Sequence, residues 1–271
     1  MPPTTVDEAL LAPLIADSGH GAILLDVDGT LAPIVPRAGD AHVPDLTRRP
    51  LITIARRYGL VACVSGRQAQ AARRIVALGS VDYIGSHGAE LLPSGATKAE
   101  VLPEVAAHRD AVQRFAQAVM RRTEIAQLQI RGEDKDTIYA FHWRGSAHAA
   151  DAERYAAQLA AEAAAAGLAT HHGRMVLEVR APVTVTKGDG VRLLLDGRLE
   201  ITAALYAGDD RTDLDAFTAL HDLRDRGRLS HAVCLAVCSG ETPPELIEAA
   251  DAQLEGPAAV RGLLEHLAEA G

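Results

Sequence analysis

The chain has no apolar run approaching the roughly eighteen residues that a membrane-spanning helix needs. Its opening stretch, MPPTTVDEALLAPLIADSG, carries acidic residues and lacks the basic flank and long apolar core of a secretory leader, so a cytoplasmic location is expected. Three cysteines in 271 residues are too few for a disulfide framework. Cys63 lies inside an apolar run and reads as a small core residue. Cys234 and Cys238 sit in or beside the run LAVC, and no further Cys or His is well placed to complete a metal site with them. Lysine is scarce, because Lys98, Lys135 and Lys187 are the only lysines among 27 basic residues. In so arginine-rich a chain, those that persist are candidates for tasks in which a compact ammonium differs from a guanidinium. Basic residues form no long run, and the formal charge is −9, which disfavours general affinity for nucleic acid or anionic membrane surfaces. An anionic small-molecule substrate is still compatible with that charge, since a metal ion can reverse the local field of one pocket. There is no convincing repeat and no long low-complexity linker.

What is present is a chain 48% hydrophobic, long enough to bury a large core in one big or two modest domains. Short apolar, β-branched runs at 22–26, 60–64, 81–85, 204–208 and 231–237 alternate with helical patterns such as 67–78 and 187–196. That alternation predicts an α/β fold built on a parallel sheet. The middle has another texture. A helix over 103–122, strands at 125–131 and 137–143, a helix at 148–166 and strands at 168–172 and 175–180 give the order αββαββ. This predicts an α+β domain at 93–180, inserted between core halves at 1–92 and 181–271.

The strongest chemical signal is GAILLDVDGTLAP at 21–33. An apolar strand ends at Asp26, where an open parallel sheet places its ligand crevice. Asp28 stands two residues on, so both carboxylates can face one pocket, and Gly29 permits the turn that leaves the sheet. Paired carboxylates repel one another, and a divalent cation relieves that repulsion; oxygen ligands at this density favour Mg2+ over zinc. A second acidic cluster, LYAGDDRTDLDAF, brings Asp209, Asp210 and Asp213 to the end of another strand, either as an N-cap or as the remaining metal ligands. Ser65, in VACVSGR, ends a strand and opens a helix, where a hydroxyl and nearby amides can hold a phosphate oxygen. Lys187, in TVTKGDG, sits at a helix start against the dipole, a place that suggests another purpose.

In order and spacing, these four segments resemble the motifs of the haloacid-dehalogenase (HAD) superfamily of phosphatases. The resemblance implies a HAD-like, Rossmannoid parallel-sheet core with an inserted cap. It implies Asp26 as the nucleophile that forms an aspartyl phosphate and Asp28 as the general acid and base. Ser65 and Lys187 would be catalytic partners, and Mg2+ would be held among Asp26, Asp28, Asp209, Asp210 and Asp213. Within that superfamily, GEDKDTIYAFHWRGS, with Glu133, Lys135, His142, Trp143 and Arg144, resembles the trehalose-6-phosphate phosphatase cap. So do RMVLEVRAPVTVTKG, which contains Glu178, and GSHGAE at 85–90. This implies hydrolysis of trehalose 6-phosphate, with Glu133, Lys135 and Glu178 on the non-phosphorylated glucose. Asp26, Val27, Asp28, Arg67, His87 and Arg144 would be further substrate contacts. A trehalose-6-phosphate synthase is the implied functional partner. Competing readings are another sugar phosphate, such as sucrose phosphate or a glycosyl phosphoglycerate, and a catalytically idle regulator of a synthase. The chain departs from the family pattern with Leu214 where an acidic residue is usual, Ala181 for a proline, and Thr186 for another common acidic residue.

Overall fold

The computed structural model describes residues 6–270; residues 1–5, which begin the stretch read for a leader, and Gly271 lie outside the described residues. The chain forms two compact units, one built from the chain up to Glu100 together with Val185 onward, the other from Val101–Thr184. The changeovers fall several residues later than the sequence texture suggests. The segment after residue 90 is tied to the larger unit by strand pairing and by the Ser94 N–H, which donates to Asp82 Oδ1 at 2.8 Å.

The larger unit carries strands β1 (Gly21–Asp26), β2 (Leu60–Val64), β3 (Asp82–Gly85) and β4 (Glu90–Leu92) from its first segment, and β5 (Glu100–Val101) spans the changeover. The smaller unit contributes β6 (Arg131–Asp134), β7 (Ile138–His142), β8 (Ala169–Gly173) and β9 (Val176–Arg180). The chain then returns to the larger unit for β10 (Ala203–Gly208), β11 (His231–Cys238) and β12 (Ala252–Glu255). The main sheet has the order β12-β11-β10-β1-β2-β3-β4-β5, parallel from β12 to β3, with β4 antiparallel to β3. Strands that are apolar throughout, such as β1, suit a parallel sheet covered on both faces. Alternation sorts their side chains. Ile23 and Leu25 join a core with Leu51, Ile54, Leu263 and Leu264, while Ala22 and Leu24 join the opposite core with Leu194, Tyr206 and Phe217. Chain order runs outward from β1 in both directions. The carboxyl ends of β1 and its neighbours β2 and β10 therefore frame the crevice where such sheets bind ligands. Among the described residues, no helix is long and apolar enough to cross a membrane.

The smaller unit is an antiparallel sheet of order β6-β7-β9-β8 with helices Arg109–Met120 and Ala149–Ala165. Phe141, Leu177 and Val179 meet Val112, Ala116 and Leu159 in a separate core. The strand expected at 125–131 is instead the short helix Thr123–Gln127, and β6 starts only at Arg131. Ile125 and Leu128 stand three residues apart, which is helical spacing, and Gln129 then takes a left-handed φ of 52° that ends the turn. That shift leaves Glu133 on β6.

Candidate active site

β1 delivers Asp26 to the sheet edge with its side chain almost fully buried. The loop then turns tightly, as the N–H groups of Leu31 and Ala32 both donate to the Val27 carbonyl, at 3.0 and 2.8 Å. Gly29 sits at φ +89°, and a Cβ there would lie 1.9 Å from Asp209 Oδ2. Handedness and contact therefore both require glycine. The next parallel strand, β10, places Asp209 beside this loop by the same geometry, with Leu25 in register with Ala207.

Lys187 opens the helix Lys187–Asp196, whose start is fixed by a capping box. Thr186 Oγ1 accepts from the Asp189 N–H, and Asp189 Oδ2 accepts from the Thr186 N–H. The ammonium, 2% exposed, donates to Asp26 Oδ1 and to Asp213 Oδ1, each at 2.8 Å. Its unfavourable position on the helix dipole is offset by these two carboxylates, which hold it protonated and raise its pKa although burial opposes the charge. Asp213 is completely enclosed. Besides Lys187, Oδ1 accepts from the Tyr206 hydroxyl at 2.6 Å, and Oδ2 accepts the N–H groups of Asp209 and Asp210 at 3.0 and 3.1 Å. Asp213 thus anchors the ammonium and the backbone after β10.

Among the described residues, Asp26, Asp209 and Asp213 bring carboxylate oxygens within 4.8 Å of one another. Burial pushes the Asp26 carboxyl well up, against the pull of Lys187, and the nearby carboxylates add to the rise. Burial together with Asp213 and Asp210 pushes Asp209 up to about 7. Two oxygens of this cluster, Asp26 Oδ2 and Asp209 Oδ1, are buried without a hydrogen-bond partner. Three carboxylates around one ammonium leave an excess of negative charge. Hard oxygen donors with orphaned lone pairs fit a small divalent cation.

The other predicted residues of each unit make contacts of their own. Asp28 stands outside the three-carboxylate cluster, and Arg67 grips both its oxygens, Nε on Oδ2 at 2.6 Å and Nη2 on Oδ1 at 2.7 Å. Asp210 also stands apart from it, its Oδ1 accepting from the N–H and hydroxyl of Thr212 at 2.7 and 2.6 Å. Burial opposes its charge, but Lys187 and these donors hold Asp210 below the usual carboxylate range. Ser65 is buried at the end of β2, and its Oγ accepts the Arg67 N–H at 3.1 Å. His87 lies against Gly66, where an added Cβ would meet the ring at 2.6 Å. Both Ser86 and His87 have left-handed backbones, with φ of 50° and 57°. In the smaller unit, register aligns Glu133, Ala140, Glu178 and His171 across the sheet. Lys135 Nζ reaches Glu178 at 2.9 Å and Glu133 at 3.7 Å, and His142 meets Glu133 at 2.8 Å. Arg144 is exposed, its guanidinium on the Arg174 carbonyl. Trp143 is buried in the smaller unit's core.

Two contributors were not singled out from sequence. Tyr206, inside an apolar strand, looks like any core aromatic until its hydroxyl is seen on Asp213. Glu90 is buried; one oxygen accepts from the Ser86 hydroxyl at 2.8 Å and the other from the Ala69 N–H at 2.9 Å. It ties the strained Ser86-His87 turn to the helix that follows Ser65, and its signal was its place at the end of GSHGAE.

The sheet order and the inserted α+β unit define a protein of the HAD-like α/β class. The fold aligns with the C-terminal domain of trehalose-6-phosphate phosphatase from Candida albicans at a TM-score of 0.68, covering 97% of each chain at 22% identity. Residues 24–243 match the trehalose-phosphatase family, and the chain belongs to that family. A trehalose-phosphate phosphatase of Mycobacterium marinum is 32% identical over 203 residues, which is 73% of this chain but 51% of that protein's length. Trehalose 6-phosphate phosphatase RA3 of Zea mays is 28% identical over 280 residues, 96% of this chain and 73% of that protein.

Proposed function

We propose that the chain hydrolyses trehalose 6-phosphate to trehalose and phosphate through an aspartyl phosphate on Asp26. The observation that carries this reading is the pair of buried, partnerless oxygens on Asp26 and Asp209 beside the Lys187 ammonium. Asp26 and Asp209 would hold Mg2+, with Asp213 fixing their surroundings; when bound, the ion neutralises phosphoryl charge and so lets an anionic nucleophile approach an anionic ester.

Asp26 attacks phosphorus in line, forming the Oδ–P bond as the bond to the sugar oxygen breaks. Lys187 keeps Asp26 oriented and opposes the effect of burial on its charge, and stabilises negative charge as it builds on the phosphoryl oxygens. Once released by Arg67, Asp28 takes up a proton from solvent and gives it to the departing sugar oxygen, then takes one from the water that cleaves the acyl phosphate. Arg67 is placed to exchange Asp28 for the phosphoryl group, since its planar fork suits either partner. Ser65 and His87 supply further polar contacts to the phosphoryl group. The Glu133, Lys135 and Glu178 group recognises sugar hydroxyls through charge-assisted hydrogen bonds, which would make the smaller unit the specificity cap. Three free cysteines support a reducing, cytoplasmic setting, and a trehalose-6-phosphate synthase would supply the substrate.

The test is phosphate release from a panel of sugar phosphates, with magnesium and with chelator. Strong preference for trehalose 6-phosphate that chelator abolishes supports the proposal. Magnesium-dependent turnover of other esters alone would overturn the substrate, and folded protein inert to every ester would point to the regulatory reading.

A further inference from the structure

We propose that His221, Cys234 and Asp251 form a second metal site in the larger unit, suited to Zn2+ and separate from the carboxylate cluster at Asp26. The three come from different elements: His221 from the helix Asp213–Asp225, Cys234 from the middle of β11, and Asp251 from the residue before β12. Their ligand atoms all lie within 4.8 Å of one another. His221 Nε2 is 3.6 Å from Asp251 Oδ2. Bonds of about 2.0 to 2.3 Å put tetrahedral ligand atoms roughly 3.3 to 3.8 Å apart, so this pair already has the spacing of two zinc ligands, and the thiol, within 4.8 Å of both, is near enough to join them.

Two further observations point to a ligand. His221 Nε2 is buried without a hydrogen-bond partner, although it faces this group. The Cys234 thiol makes only a weak contact, 3.9 Å to the Phe217 carbonyl. Asp251, by contrast, is firmly positioned. Its Oδ2 accepts the Cys234 N–H at 2.7 Å, and its own N–H donates to the Cys234 carbonyl at 2.8 Å. That is the kind of backbone bracing that orients a metal-binding carboxylate. Burial separates the roles. Cys234 forms the floor, while the side chains of His221 and Asp251 are 28% and 27% exposed and leave a route from solvent.

The donor set selects the metal. One imidazole, one thiolate and one carboxylate suit zinc, whereas the all-oxygen cluster at Asp26 suits magnesium. On binding, an S–Zn bond replaces the S–H bond, the proton leaves to solvent, and no electron is transferred. The metal would clip the helix to β11 and to the start of β12. Spacing along the chain gave no hint of this, because the partners of Cys234 come from neighbouring elements rather than from a nearby Cys or His.

Cobalt titration of the intact protein tests the site, because Co2+ bound to a thiolate gives a charge-transfer absorption that an all-oxygen cluster cannot. The expected result is such a band on Co2+ addition, displaced by Zn2+ and untouched by excess Mg2+. Cys234→Ser should abolish it, and His221→Gln and Asp251→Asn should each weaken Co2+ binding about tenfold or more. If the buried Cys234→Ser variant fails to fold, the two partly exposed positions decide the matter. No thiolate band at saturating Co2+ overturns the proposal. So does a band unchanged by His221→Gln and Asp251→Asn, which would assign the thiolate to Cys63 or Cys238.

Discussion

Replacing Lys187 by methionine keeps much of the side chain's bulk and removes its charge. The ammonium is 2% exposed and bridges Asp26 and Asp213 at 2.8 Å each, so its loss strands two buried carboxylates beside a third, Asp209. Breaking a buried pair by removing one partner costs about 3–5 kcal/mol. For a chain of this size each kcal/mol moves the melting temperature by about 2–4 °C, so Lys187→Met should melt roughly 6–20 °C below the parent in chelator. The assay is thermal unfolding followed by circular dichroism, in chelator and in saturating magnesium. Magnesium should narrow the gap, because a bound cation supplies part of the missing positive charge. The deficit should also shrink in acid, where protonation removes the stranded charges. Adding Asp213→Asn to Lys187→Met should recover part of the loss. A single variant that melts within a degree or two of the parent in chelator at neutral pH would refute the idea that this ammonium holds the cluster together.

Three further outcomes follow from the same geometry. Asp209 is pushed up to about 7, above its unfolded value near 3.8, so its contribution to metal-free stability is full below about pH 4 and is lost as pH rises through 7. The effect is at most about 4 kcal/mol, and the stabilisation by magnesium should grow over the same interval; melts at a series of pH values with and without the ion check both. Gly29→Ala places a Cβ against Asp209 in a left-handed backbone, and should destabilise the protein by about 2 kcal/mol or more while abolishing the rise in melting temperature with magnesium. Glu178→Gln weakens the pairing with Lys135 and should raise KM for trehalose 6-phosphate about tenfold, with hydrolysis of p-nitrophenyl phosphate unchanged, as steady-state kinetics would show.

Much of this centre was legible in sequence because it lies at strand ends. An apolar run that stops at an aspartate marks a sheet edge, and both Asp26 and Asp209 stand where that rule puts them. Lys187 was legible for the opposite reason, since a lysine against a helix dipole calls for a compensating partner. Roles set by side-chain direction were not legible. Nothing in GDDRTD reveals that Asp213 turns inward to accept four donors while Asp210 turns to Thr212. Tyr206 was hidden for the same reason, because its strand position says buried and nothing about its hydroxyl. The short helix Thr123–Gln127 was missed because Ile125, Leu128 and Ile130 satisfy a helical turn and a strand nearly equally, and packing in the smaller unit decided between them.

The proposed mechanism turns on Asp26 acting as the nucleophile toward trehalose 6-phosphate. It is tested most directly by phosphate release from that ester in magnesium, comparing the parent with Asp26→Asn in protein shown to be folded by circular dichroism. The parent should release phosphate, and Asp26→Asn none above the uncatalysed background. Folded Asp26→Asn that turns over the ester at the parental rate would contradict it.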